Sequence, residues 1–193
     1  MKEIGFIGLG NMGSKMSIHL AKAGFNVSGF DVDSKLIDKL TKFGIKKENS
    51  ISKISINKDV IITMLPNGKI VDEVLKEVLD NVSNFPTIID CSTIDLKTSK
   101  KLYDLSLSRN ISLLDAPVSG GTIGALNGTL TFMVGGDKKV FNKMSPIFNL
   151  MGSKSVYCGS AGLGQATKLC NNMLLAITMI GVGESFNMAK NLQ

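Results

Sequence analysis

Lys168 and Asn172 stand four residues apart in the stretch GLGQATKLCNN, residues 162–172, directly ahead of the apolar run MLLAITMIGV. On a helix that spacing puts both side chains on one face and turns Asn171 away. A cation and an amide donor on one face can hold an oxyanion and exchange a proton, provided burial or a nearby charge lowers the lysine pKa toward neutrality. The same residues also fit a solvated helix surface, where lysine snorkels and asparagine is hydrated. Gly162 and Gly164 let another backbone or a cofactor approach the start of that helix.

A second constellation is DAPVSGG, residues 115–121, in which Ser119 precedes Gly120 and Gly121. Consecutive glycines expose backbone N–H groups that a turn can aim at a carboxylate, although a flexible loop has the same composition. The third is IGFIGLGNMG, with Gly8, Gly10 and Gly13 as GxGxxG. There the first glycine permits a tight turn, the second admits a pyrophosphate to the backbone, and the third lets helix and strand pack closely. The phosphates would face a helix N-terminus, where free N–H groups and the dipole favour anions. Asp31 follows Gly10 by 21 residues at the end of a second apolar run, the place of a carboxylate that meets a ribose 2′-hydroxyl. It would repel a 2′-phosphate, so the expected cofactor is NAD rather than NADP.

Two further turns follow strand-like runs. TMLPN, residues 63–67, brings Met64 and Leu65 to Pro66, which removes a backbone donor and fixes the turn. CSTID, residues 91–95, offers Ser92, Thr93 and Asp95, any of which could instead cap the next helix. In an open α/β sheet such loops lie at the carboxyl ends of strands, where ligands bind.

The elements that must position these residues are legible in the hydrophobic periodicity. Short β-branched runs alternate with amphipathic stretches, the pattern of repeated βαβ units around a parallel sheet. Strands are expected at 3–8, 26–30, 60–64, 87–90, 112–114, 130–134 and 156–157, with helices at 11–23, 34–42, 68–79, 96–109 and 137–149. From residue 161 the pattern becomes one helix of about 30 residues, apolar on most sides, which expects neighbours on several sides. The expectation is an α/β, Rossmann-type doubly wound parallel sheet at 1–160, then an interdomain helix at 161–193 opening an all-α domain that is largely missing.

Composition excludes several function classes. The net charge of +6 comes from lysines scattered between apolar positions, without the basic block that nucleic-acid binding would need. The three cysteines, Cys91, Cys158 and Cys170, show no metal-ligand spacing and are too few and odd for a disulfide framework. His19 is the only histidine, on the first helix among lysines, which argues against Ser/His or Cys/His schemes and a metal site. No signal-like segment precedes the first strand, and the run 173–182 is shorter than the roughly 20 residues of a bilayer span. A cytoplasmic location with no membrane partner is expected.

In these four ordered motifs, GFIGLGNMG, the TMLPN and STID turns, DAPVSGG and GQATKLCNN, the chain resembles the β-hydroxyacid dehydrogenases over essentially its whole length. The resemblance implies that Gly8, Leu9, Gly10, Asn11, Met12, Gly13, Asp31, Met64, Leu65, Pro66 and Thr93 form the NAD site. It implies that Ser119, Gly120, Gly121 and Asn172 hold a substrate carboxylate and that Lys168 is the catalytic acid/base. The implied reaction is NAD-dependent oxidation of a 3-hydroxy acid, foremost 3-hydroxyisobutyrate to methylmalonate semialdehyde in valine catabolism, in a homo-oligomer. Tartronate semialdehyde reductase is the nearest alternative; 6-phosphogluconate dehydrogenase is disfavoured because its relatives carry histidine where Gln165 stands. A non-catalytic dinucleotide-binding module is the rival of another class. The chain departs from the family in His19, where asparagine is usual, and in stopping before an all-helical domain that closes the cleft. A nearly complete NAD site and an incomplete catalytic cleft are therefore expected.

Overall fold

Val60, Ile61 and Ile62 are fully buried in succession, and alternate side chains enter two different hydrophobic clusters. A strand whose side chains alternate between two buried faces belongs inside a sheet covered on both sides. The computed structural model describes residues 2–192; Met1 and Gln193, the outer ends of the two expected segments, lie outside the described residues.

In chain order the elements are β1 (Glu3–Ile7), α1 (Gly13–Lys22), β2 (Asn26–Phe30), α2 (Ser34–Asp38), β3 (Lys46–Lys47), α3 (Ile51–Ser55), β4 (Val60–Thr63), α4 (Gly68–Asn81) and β5 (Thr87–Asp90). They continue as α5 (Leu96–Ser108), β6 (Ser112–Asp115), β7 (Val118–Ser119), α6 (Gly121–Asn127), β8 (Leu130–Gly135), α7 (Lys138–Met151), β9 (Gly152–Gly159) and α8 (Leu163–Asn191). The sheet order is β3-β2-β1-β4-β5-β6-β8-β7, with β9 paired to β8. The order reverses between β1 and β4, so a crevice opens outside their carboxyl ends, where an α/β sheet takes its ligand.

One core cluster joins Ile4, Phe6 and Leu20 to Phe132 and Phe148, and the other joins Ile7, Ile61 and Ile88 to Leu75 and Leu102. Local capping agrees with this plan. Asn67 accepts from the Ile70 N–H at 3.0 Å to open α4, and Asp95 accepts from the Thr98 N–H at 2.8 Å to open α5.

The structure departs from the expected elements in four places. The sheet is not wholly parallel: β8 runs antiparallel to β6 and β7, and only β9 lies parallel to it. The strands β3 and β7 have two residues each, too few to show alternation. Five-residue α3 and seven-residue α6 are likewise too short for a helical period. The expected helix at 34–42 ends at Asp38, and a 3₁₀ turn at Thr41–Phe43 leads to left-handed Gly44, which lets Lys46 and Lys47 reach the edge beside β2.

The helix α8 has 29 residues, and by length and hydropathy it is long and apolar enough to cross a membrane. It packs on β6, β8, β9 and α5, and its buried residues, Gly164, Gln165 and Lys168, all lie near its start. Beyond Lys168 it is open: Met173, Leu174, Ile177 and Ile180 are all more than half exposed.

Candidate functional site

The turn after β1 is shaped by two close approaches. A Cβ at Gly13 would lie 1.9 Å from the Gly8 carbonyl oxygen, and one at Gly8 would lie 2.3 Å from the Met64 carbonyl oxygen, so only glycine allows helix α1 to sit on the sheet. Gly10 is different, for a Cβ there would meet no atom within 4 Å. The N–H groups of Gly10, Asn11, Met12 and Gly13 make no hydrogen bond among the described residues. Free donors at a helix N-terminus beside open space fit the pyrophosphate of a dinucleotide.

This turn forms one wall of a cavity of about 620 Å³. The structure brings nine of the expected cofactor residues to it: Gly8, Gly10, Asn11, Met12, Gly13, Asp31, Met64, Leu65 and Pro66. It does not bring Leu9, whose side chain is fully buried in the core, nor Thr93, which is exposed in the turn after β5 and does not line the cavity. Leu9 contributes instead through its backbone, donating to the Asp31 carboxylate at 2.6 Å.

Sequence reasoning missed the opposite wall. Leu36, Ile51, Ile70 and Val74 give the cavity an apolar side, with Glu73 and the 94% exposed Val32 also lining it. These residues come from α2, α3, α4 and the loop after β2, and none belongs to a compact motif. The available signal was an apolar residue, Val32, set between Asp31 and Asp33 in a loop where polar residues are usual.

The substrate-side candidates lie outside this cavity. Ser119 ends β7, while Gly120 and Gly121 take positive φ of 125° and 60° where α6 opens. Asn172 is exposed on α8, whereas Lys168 is 8% exposed and makes no hydrogen bond or ion pair among the described residues. Burial alone pushes the Lys168 ammonium below its ordinary pKa.

What holds α8 in place is a buried polar cluster. The Asp115 carboxylate accepts from the N–H groups of Gly162 at 2.8 Å and Gln165 at 2.9 Å, capping α8 from a strand 47 residues away. Burial pushes its pKa up, and these amides pull it back. Beside it, Asp90 accepts from Thr63 Oγ1 at 2.8 Å and the Ser92 N–H at 3.1 Å, and burial raises its pKa to about 6. Ser92 Oγ in turn accepts from the Leu65 N–H at 2.9 Å, inside the turn that lines the cavity. The wholly buried Cys91 thiol is pushed up by the same desolvation, away from thiolate chemistry.

His19 is a structural residue. Its Nε2 lies 3.0 Å and 3.1 Å from the carbonyl oxygens of Ala125 and Leu126, tying α1 to the end of α6. Among the described residues no cluster of His, Cys, Asp and Glu is arranged to hold a metal ion.

A 3-2-1-4-5-6 sheet, a glycine turn with free N–H groups and a carboxylate at the end of β2 define a dinucleotide-binding domain. The chain belongs to the family described as the NAD binding domain of 6-phosphogluconate dehydrogenase, matched over residues 3–159. It is 45% identical over 189 residues to the mitochondrial 3-hydroxyisobutyrate dehydrogenase of Drosophila melanogaster, covering 97% of this chain and 58% of that protein. It is 40% identical over 188 residues to the NAD-dependent L-serine dehydrogenase of Pseudomonas aeruginosa, covering 96% of this chain and 63% of that protein. The solved structure of Mycobacterium tuberculosis 3-hydroxyisobutyrate dehydrogenase with L-serine superposes with a TM-score of 0.96 at 41% identity, covering all of this chain and 66% of that one. The chain thus spans 58–66% of the length of these relatives.

Proposed function

We propose that the protein is an NAD-dependent 3-hydroxy acid dehydrogenase that oxidises 3-hydroxyisobutyrate to methylmalonate semialdehyde, with Lys168 as the acid/base. The observation that carries this reading is Lys168 itself, which is 8% exposed and whose ammonium has no hydrogen-bond or ion partner among the described residues. Desolvating an ammonium without a partner is costly, and a helix position that only served folding would favour an apolar side chain there.

NAD, when bound, supplies the hydride acceptor. Lys168 as the neutral amine takes the proton of the C3 hydroxyl as hydride leaves C3, and in the reverse direction its ammonium returns that proton. Desolvation favours the neutral amine that the oxidation needs. Ser119, the N–H groups of Gly120 and Gly121, and Asn172 hold the substrate carboxylate. Asp31 receives the adenosine ribose and selects NAD over NADP, and Thr93 meets the cofactor from the turn after β5.

The relatives named for L-serine and for 3-hydroxyisobutyrate act on small acids with a 3-hydroxyl, which supports that substrate class. The open apolar residues of α8, among them Met173 and Ile177, fit cover by further helical chain or by a second subunit. The three free cysteines fit a reducing compartment, the cytoplasm in our reading.

The deciding experiment is NAD-linked turnover of 3-hydroxyisobutyrate, L-serine, glycerate and 6-phosphogluconate by the protein. We expect the highest kcat/KM for 3-hydroxyisobutyrate. Preference for glycerate would move the protein to the tartronate semialdehyde reductases, and NADH binding without any turnover would make it a dinucleotide-binding module.

A further inference from the structure

Gln165, which the sequence offered only as a point of difference from the 6-phosphogluconate dehydrogenases, is fully buried. Its side chain spans from α8 to the turn after β5. Nε2 donates to the Ser92 carbonyl oxygen at 2.7 Å, and Oε1 accepts from the Ile94 N–H at 3.1 Å. Its backbone N–H donates to Asp115 at 2.9 Å. Both ends of the amide are therefore in use, one as donor and one as acceptor.

The partners of Gln165 lead to the cofactor cavity. Ser92, whose carbonyl it holds, accepts through Oγ from the N–H of Leu65, a residue of the cavity wall. Lys168 follows Gln165 by three residues, so the two share a face of α8. Asp115 clamps the backbone of that turn through the Gly162 and Gln165 N–H groups, while Gln165 supplies the side chain that ties it to the turn after β5, since Gly162 and Gly164 carry no side chains and Leu163 and Thr167 are exposed. Asp115 and Lys100 also pack on that turn, and neither pairs with Lys168 among the described residues.

We propose that Gln165 is a positioning residue, whose amide locks the first turn of α8 to the turn after β5, itself bonded through Ser92 to Leu65 of the cavity wall, and thereby fixes where Lys168 stands relative to that wall. The inference rests on the reading of Lys168 as the proton carrier. A side chain in this place must both donate and accept. Leucine and methionine do neither, whereas a neutral imidazole can do both through its two nitrogens.

The test measures how readily Lys168 is acylated by a brief pulse of acetic anhydride across pH, read by mass spectrometry in the NADH-saturated protein. NADH affinity, thermal stability and NAD-linked turnover are followed in parallel. In Gln165→Leu and in the isosteric Gln165→Met, the first turn of α8 loosens and the labelling midpoint of Lys168 rises toward that of an ordinary lysine. NADH affinity stays unchanged, and turnover falls about 100-fold, the scale of loss when a catalytic group shifts by about 1 Å. Gln165→His brings the midpoint and turnover back toward those of the parent.

A merely structural role would lower thermal stability and leave the midpoint where it was. An unchanged midpoint in a folded Leu or Met variant overturns the proposal, as does loss of NADH affinity without a midpoint shift. Turnover retained in Lys168→Ala would sink the proton-carrier reading alone, because the midpoint still reports whether Gln165 positions that lysine.

Discussion

The Asp31 carboxylate accepts the backbone N–H of Leu9 at 2.6 Å, so the residue that follows β2 also braces the glycine turn that follows β1. Its other oxygen accepts from the Asp33 N–H at 2.9 Å. In the role proposed for Asp31, a carboxylate fixed on both sides cannot swing away from a 2′-phosphate at the adenosine ribose. Fluorescence titration is therefore expected to show tighter binding of NADH than of NADPH. Asp31→Ala should narrow that difference and weaken NADH roughly 10-fold or more, since a hydrogen bond to a charged group contributes about 1.5–3 kcal/mol. An NADPH preference in the parent protein would contradict the argument.

Lys168→Ala should lower NAD-linked oxidation by a factor on the order of 10²–10⁴, the usual contribution of a positioned acid/base, and leave NADH affinity intact. The alanine removes a side chain that lines no part of the cofactor cavity. In the parent, the oxidation rate should rise with pH as the ammonium loses its proton. Because burial lowers that pKa, the rise should fall below the range of an ordinary lysine, about 10.4. Steady-state rates against pH decide this, and full turnover in the alanine variant would reject the assignment.

Asp90 makes a prediction about stability. Its pKa is about 6 in the folded protein against 3.8 as a free side chain, because burial disfavours the charge. A raised carboxyl pKa contributes stability that is present below the unfolded value and lost as pH rises through the folded one. Asp90→Asn keeps the acceptor for Thr63 and the Ser92 N–H but cannot ionise. Relative to the parent it should gain about 3 kcal/mol between pH 3 and pH 7 and then level off. Asp115 titrates in both proteins and its charge is one cause of the Asp90 shift, so the difference between the two denaturant-melt curves reports Asp90 together with its coupling to Asp115. Curves that run parallel across this range would refute the assignment.

Much of the cofactor wall was legible because its reasons are local. Gly8, Gly10, Gly13 and Asp31 obey a fixed spacing, and Met64 to Pro66 close a strand with a proline. The braces were not legible, because each joins residues far apart in the chain. Asp115 was read as the start of a carboxylate-binding turn, yet its side chain caps a helix that begins 48 residues later at Leu163. Gln165 stood beside Lys168 in plain view, but its partners Ser92 and Ile94 lie more than 70 residues away. The periodicity of α8 predicted its length and could not show that Lys168 is buried while Met173 is open.

The same brace makes Gly164 a sensitive position. A Cβ there would lie 2.4 Å from the Met133 carbonyl oxygen and 2.6 Å from that of Asp115, both backbone atoms that cannot turn aside. Gly164→Ala must lift the first turn of α8 off β6 and β8 and stretch the Asp115 bonds to Gly162 and Gln165. An unpaired buried acceptor or donor costs about 1–3 kcal/mol, so the variant should lose roughly that much stability or more. At Gly181, far along the same helix, a Cβ meets no atom within 4 Å. Gly181→Ala should instead gain up to about 1 kcal/mol from helix propensity. Denaturant melts of the two variants test the contrast, and equal effects would show that α8 is not clamped at its start.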